Sequence, residues 1–111
     1  MVEKRVTEMR KILKEDVPDW LLEVNISYRD LIKENFSDAI VVSADQRRAF
    51  TKLLSLSKNL SKCTDAHCKV IEERYLKQQS VKTMMRKMMV SHSHYYNMEN
   101  ESLLELSERF L

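Results

Sequence analysis

Residues 80–111, Ser80 to Leu111, read SVKTMMRKMMVSHSHYYNMENESLLELSERFL, and the fold turns on this stretch. Ser80 suits a helix N-cap, and Val81, Met84, Met85 and Met88 follow it at helical spacing as one apolar stripe. The stripe stops at Met89 and Val90. Ser91 then offers a second N-cap, and Tyr95, Met98, Leu103, Leu106 and Phe110 trace the buried side of a helix several turns long. So short a link leaves the two helices no room to fold back as a simple hairpin. The spacing predicts a steep crossing, as in a helix-turn-helix whose second helix is free to enter a DNA major groove.

A third helix is available upstream, in Thr64-Asp-Ala-His-Cys-Lys-Val-Ile-Glu-Glu-Arg-Tyr-Leu. Thr64 or Asp65 can cap it, and Cys68, Ile71 and Tyr75 share one face. The last helix is then expected to pack across the first two.

The totals favour helices throughout. The 111 residues suffice for one domain, or for a small domain with a helical extension. Glycine is absent and Pro18 is the one proline, so a β-rich fold would lack its turn residues. Charged residues make up 32% and apolar residues 43%, enough for a modest core. No apolar run approaches the roughly 20 residues that span a bilayer. The opening Met-Val-Glu-Lys-Arg-Val leads into an amphipathic helix and not an apolar signal core, so no secretion signal is read and a cytoplasmic location is expected.

Earlier in the chain, Val2, Val6, Met9, Ile12 and Leu13 form the stripe of an amphipathic helix over residues 2–15, available to a partner. Asp16-Val17-Pro18 is expected to break it, with Asp16 capping a new helix that holds Trp20, Leu21 and Leu22 inside it. Asn25 or Ser27 opens another segment through Tyr28, Leu31, Ile32 and Phe36. Ala39 to Val42 is β-like but too short and isolated to build a sheet. Ser43 starts a long helix whose stripe is Ala49, Phe50, Leu53, Leu56 and Leu60, and Lys62 to Asp65 reads as a joint. The expected organisation is therefore a helical N-terminal region, 1–62, for dimerisation or partner contact, and a DNA-reading unit, 63–111.

Net charge is only +2, but its distribution is uneven. Lys77 to Met98 carries Lys77, Lys82, Arg86 and Lys87 with no acid, whereas Glu99, Glu101, Glu105 and Glu108 follow. A local basic patch of that kind is what phosphate contact requires, because Lys and Arg displace condensed counterions.

Val70-Ile-Glu-Glu-Arg-Tyr75, Ser80-Val-Lys-Thr-Met-Met85 and Val90-Ser-His-Ser-His-Tyr-Tyr96 together resemble the promoter-reading region 4 of sigma factors. The closing SHSHYYNMENESLLELSERF is similar to the ArpU/RinA-type phage transcriptional regulators, with their Ser-x-Ser-x-Tyr-Tyr recognition helix and leucine-rich tail. The likeness covers about the last 45 residues. Met89 stands where the turn usually carries glycine, and Met85 where the crossing usually holds a small residue. The resemblance implies an all-α, sequence-specific DNA-binding regulator of phage or prophage type in the bacterial host cytoplasm, acting at a promoter, with activation of late genes as the role. Double-stranded DNA is the implied partner, with RNA polymerase or a second copy of the chain beside it.

Helical geometry and the resemblance select the same surface. His92, Ser93, Tyr96 and Asn97 are the candidate base contacts, since Asn can bond adenine bidentately, Ser can bond several base edges and His can donate to guanine N7. Lys77, Ser80, Lys82, Arg86, Lys87 and Ser91 are the candidate backbone contacts. Cys63, His67, Cys68, His92 and His94 suggest zinc, but the cysteine spacing does not match paired thiolates, so no metal or cofactor is expected and both cysteines are read as reduced thiols. No nucleophile with a base and an orienting carboxylate is recognisable, so no enzyme activity is expected. The clustered methionines read as core filler, with a Met-rich partner groove as the other reading. The competing class is a small helical interaction module, antirepressor-like or anti-sigma-like, that binds a protein and not DNA.

Overall fold

The computed structural model describes residues 2–33 and 43–111, and every regular element among them is helical. The order is α1 (Val2–Lys11), a π-helical stretch (Ile12–Asp16), α2 (Val17–Val24), α3 (Tyr28–Lys33), α4 (Arg47–Ser61), α5 (Asp65–Ile71), a second π-helical stretch (Glu72–Leu76), α6 (Val81–Met88) and α7 (His92–Phe110). The β-like run 39–42 and Phe36 lie outside the described residues. None of the described helices is long and apolar enough to cross a membrane.

The expected break at Asp16-Val17-Pro18 does not occur. Asp16 has helical dihedrals (φ −77, ψ −43) and makes no side-chain cap, and the Val17 amide bonds back to the Ile12 carbonyl. Pro18 lacks an N–H, and its ring collides with the carbonyl four residues back in an ordinary α-helix. The wider π turn just before it relieves that collision, so the backbone stays helical from α1 into α2.

Helix ends are made without glycine. Asn25, Gln78 and Met89 all take positive φ (61, 57 and 56). After α2, the Asn25 and Ile26 amides close on the Leu22 and Leu21 carbonyls, and Ile26 folds into the core. Ser27 and Asp30 cap α3 reciprocally, and Ser43 and Gln46 do the same for the turn leading into α4.

One apolar core draws on both sides of the joint near residue 63. Val6, Met9 and Leu13 from the first helical stretch meet Leu53, Leu56 and Leu60 from α4, Ile71 and Leu76 from α5 and the π-helical stretch that continues it (together the α5 segment, 65–76), and Leu103 and Leu106 from α7. From Val6 to Leu13 the stripe of α1 is thus covered within the chain instead of being open to a partner. Leu21 is buried as expected, but Leu22 is 81% exposed.

α7 is the central helix, with α1, α4, α5 and α6 packed around it. That explains a burial wider than its apolar stripe: Glu99, Ser102 and Ser107 are buried beside Tyr95, Leu103 and Leu106. Serine lets neighbouring helices approach closely, and both hydroxyls are satisfied inside α7, Ser102 donating to the Met98 carbonyl and Ser107 to the Leu104 carbonyl at 2.7 Å.

Candidate functional site

α6 and α7 are joined by Met89, Val90 and Ser91 alone, and local chemistry builds both helix starts. The Ser80 hydroxyl oxygen accepts from the Thr83 amide at 3.1 Å, and that of Ser91 accepts from the His94 amide at 3.2 Å. α6 ends as the Met89 and Val90 amides return to the Arg86 and Met85 carbonyls, with Met89 left-handed and 91% exposed.

These caps set the exposure of the leading turn of α7. Tyr95 is wholly buried, while His92, Ser93, His94 and Asn97 face solvent. Tyr96 is only half-exposed: its ring lies 4.7 Å from that of His92, tilted at 58°, and meets the Tyr95 ring edge-on at 5.5 Å. Met98, expected in the core, is half-buried. In α6 only Met84 is fully buried, and Val81, Met85 and Met88 are half-covered.

The basic side chains gather beside this turn. Lys82, Arg86 and Lys87 project from α6, and Lys77 precedes it, all exposed. Glu73 enters the same surface, 3.7 Å from Lys77 and 4.0 Å from Lys87, so two of the four cations are partly neutralised. Ser80 and Ser91 are exposed, but their oxygens are taken up by the caps, and Ser80 also donates to the Thr83 hydroxyl.

A groove of about 400 Å³ opens next to this face, lined by Val70, Met84, Met88 and Met98, with Lys69, Lys87 and Glu73 also in its lining. The methionines therefore serve two ends, with Met84 buried at the floor of the groove and Met88 and Met98 half-covered along it.

The residues that suggested zinc fall in two places, Cys63, His67 and Cys68 around the start of α5 and His92 and His94 at the start of α7. Glu105 contacts Thr64 and His67, and it stands thirteen positions (105 − 92) beyond His92 on α7, or about 20 Å along the axis. His67 sits between carboxylates, with Nδ1 2.8 Å from Glu105 and Nε2 3.9 Å from Glu101. Among the described residues no group of three or more His, Cys, Asp or Glu could hold a metal ion. Cys63 is buried, and burial followed by the nearby Glu105 charge pushes its thiol up to about 11. Thr64 occupies the N-cap position of α5 but turns its hydroxyl to Glu105 instead of capping.

Sequence reasoning misses Glu99. Its place at the head of the acidic tail suggests solvent, yet it is 1% exposed. The Tyr75 hydroxyl donates to it, and the guanidinium groups of Arg10 and Arg74 stand 3.9 and 4.0 Å away. Arg10 also donates to the Tyr75 hydroxyl at 3.3 Å and to the Asn100 side chain at 2.7 Å. The available signal is the i, i+4 spacing of Glu99 from Tyr95 and Leu103, which puts all three on one face. This network ties α1 and the α5 segment to the middle of α7, two turns behind its exposed start.

Compared with protein-family models, curated proteins and solved structures, the chain matches none.

Proposed function

We propose that this chain is a sequence-specific DNA-binding transcriptional regulator of the phage or prophage type its last 45 or so residues resemble, acting at a promoter in a bacterial host. In this reading α5, α6 and α7 form a sigma region 4-like unit. The start of α7 enters the major groove, where His92, Ser93, Tyr96 and Asn97 meet base edges. Lys82 and Arg86 hold phosphates, with help from Lys77, Lys87 and the amides at the start of α7. Ser80 and Ser91 contribute mainly by fixing those helix starts.

One observation carries the reading: the leading turn of α7 is split, with Tyr95 anchored in the protein and His92, Ser93 and Asn97 turned out beside a basic helix. The Arg10–Tyr75–Glu99 network supports it by fixing α7 behind the exposed turn. Because Val6, Met9 and Leu13 of the α1 stripe are already buried, a homodimer or a contact with RNA polymerase would use other surfaces. Activation of late genes is the role carried by the resemblance, and no catalytic activity is part of this reading.

The methionine-lined groove favours a second reading, a helical module that binds a protein partner, because flexible methionines accommodate apolar side chains of varied shape. A salt titration separates the two. On the DNA reading, affinity for duplex falls steeply with salt. A Lys82→Ala/Arg86→Ala/Lys87→Ala variant then lowers the slope of log K against log salt by about 0.9 for each phosphate it no longer neutralises. Absence of a duplex complex even at low salt contradicts it.

A further inference from the structure

We infer that Tyr96 acts as a positioning residue for His92, and that the pair specifies a purine at one position of the bound DNA. The inference rests on the DNA reading above and deepens it. His92 is the first residue of α7, where the imidazole has no preceding helical turn to lean on. Helical side chains slant toward the N-terminus, so the ring at i+4 comes to lie against the one at i. The Tyr96 ring does this to His92 at 4.7 Å and 58°. Tyr96 is itself held, half-buried, with the fully buried Tyr95 edge-on behind it at 5.5 Å and 74°. The three rings form a chain from the protein interior to the tip of the helix, in tilted and edge-on geometries that aromatic pairs favour.

The consequence is chemical. An imidazole N–H supplies one donor in a defined direction, and the N7 acceptor of adenine and of guanine is a matching group in the major groove. A single donor held opposite N7 separates a purine from a pyrimidine, which presents its C5 edge there (a methyl in thymine), but not guanine from adenine. Ordering His92 before binding removes the cost of ordering it in the complex. Tyr96 therefore braces His92 through its ring, and its hydroxyl plays no part in that brace.

The test is selection from a randomised duplex pool by the full-length wild type and by His92→Ala, Tyr96→Ala, Tyr96→Phe and His92→Ala/Tyr96→Ala. Tyr96→Leu, which keeps apolar bulk, substitutes where alanine unfolds the helix start. Tyr96→Phe should keep the purine preference. Tyr96→Ala should weaken it by about three- to tenfold, approaching His92→Ala, and the double variant should be no worse than His92→Ala alone. Loss of the preference in Tyr96→Phe overturns the inference, as does full additivity in the double variant. The brace is also read without DNA, as His92 ring-proton shifts that move toward unstructured values in Tyr96→Ala or Tyr96→Leu and stay in Tyr96→Phe. Shifts unchanged in all three variants overturn the inference even if the wild type binds DNA. A wild type that keeps the ring contact but enriches no sequence refutes the DNA reading, and the purine assignment with it.

Discussion

The Tyr75 hydroxyl donates a 2.5 Å hydrogen bond to a carboxylate oxygen of Glu99, joining the end of the α5 segment to the middle of α7. Arg10 and Arg74 flank the same carboxylate from α1 and from the α5 segment, so three parts of the chain meet at one buried charge. Glu99 Oε2 and Arg74 Nε make no hydrogen bond among the described residues, which leaves through-space attraction over about 4 Å to hold them.

Removing the carboxylate should cost far more than an ordinary surface change. Glu99→Ala removes the acceptor of the Tyr75 hydroxyl and the carboxylate that faces Arg10 and Arg74, and should lower unfolding stability by roughly 3–5 kcal/mol, while Tyr75→Phe should cost about 1–3 kcal/mol. Urea denaturation checks both. A Glu99→Ala loss below about 0.5 kcal/mol, the size of a neutral surface substitution, contradicts the network.

The neighbouring tyrosine should behave in the opposite way. The Tyr95 hydroxyl is buried with no hydrogen-bond partner among the described residues, so Tyr95→Phe should be neutral or stabilise by up to about 1–3 kcal/mol. Burial first, and then Glu99 (through its hydrogen bond and charge at Tyr75, through its charge at Tyr95), raise both phenols well above the ordinary 10.0. A raised folded-state value leaves stability intact below pH 10 and removes it as pH climbs toward the folded-state value. Ultraviolet titration should therefore show two of the four tyrosines ionising only as the protein unfolds in alkali.

Glu105 has the reverse sign. Desolvation opposes its charge, but the bonds from His67 and from the Thr64 amide and hydroxyl outweigh that effect and hold the carboxyl below its ordinary 4.5. Its contribution is present above pH 4.5 and disappears as pH falls through the lower folded-state value. Glu105→Gln should cost about 1 kcal/mol at neutral pH, a modest figure because the carboxylate keeps some contact with water. The deficit should shrink on acidification, and one that grows toward pH 3 contradicts the assignment.

Met89 offers a gain. A non-glycine residue in the left-handed region costs roughly 1–2 kcal/mol, and its exposed side chain gives little back. Met89→Gly should raise the thermal midpoint, with part of the gain offset by extra freedom of the unfolded chain, whereas Met89→Ala should not. A fall in midpoint with glycine contradicts this account of the turn.

Much of the fold is legible in the sequence because local signals coincide. Ser80 and Ser91 each stand just before a helical pattern, and both are caps. The stripe from Ala49 to Leu60 matches the buried face of α4, with Phe50 half-covered. Pro18 misleads because a proline reads as a stop unless the preceding turn widens, and a π turn leaves no obvious composition signal. Glu99 is hidden because polarity alone predicts exposure, and its burial depends on Arg10 and Tyr75 arriving from distant parts of the chain. At the candidate site, exposure of His92, Ser93 and Asn97 and the lean of Tyr96 onto His92 follow from helical period, as does the approach of Glu73 to Lys77, but the approach of Glu73 to Lys87 is a tertiary fact.

The most direct measurement is selection from a randomised duplex pool by the wild type and by Asn97→Ala, with the enriched sequences compared position by position. Entry of the α7 start into the major groove requires the wild type to enrich a defined operator and the variant to relax or change the preference at one base pair, at a cost of about 1–3 kcal/mol there. An identical enriched profile for both proteins would contradict the assignment of Asn97 as a base contact, and a wild type that enriches nothing would contradict DNA reading altogether.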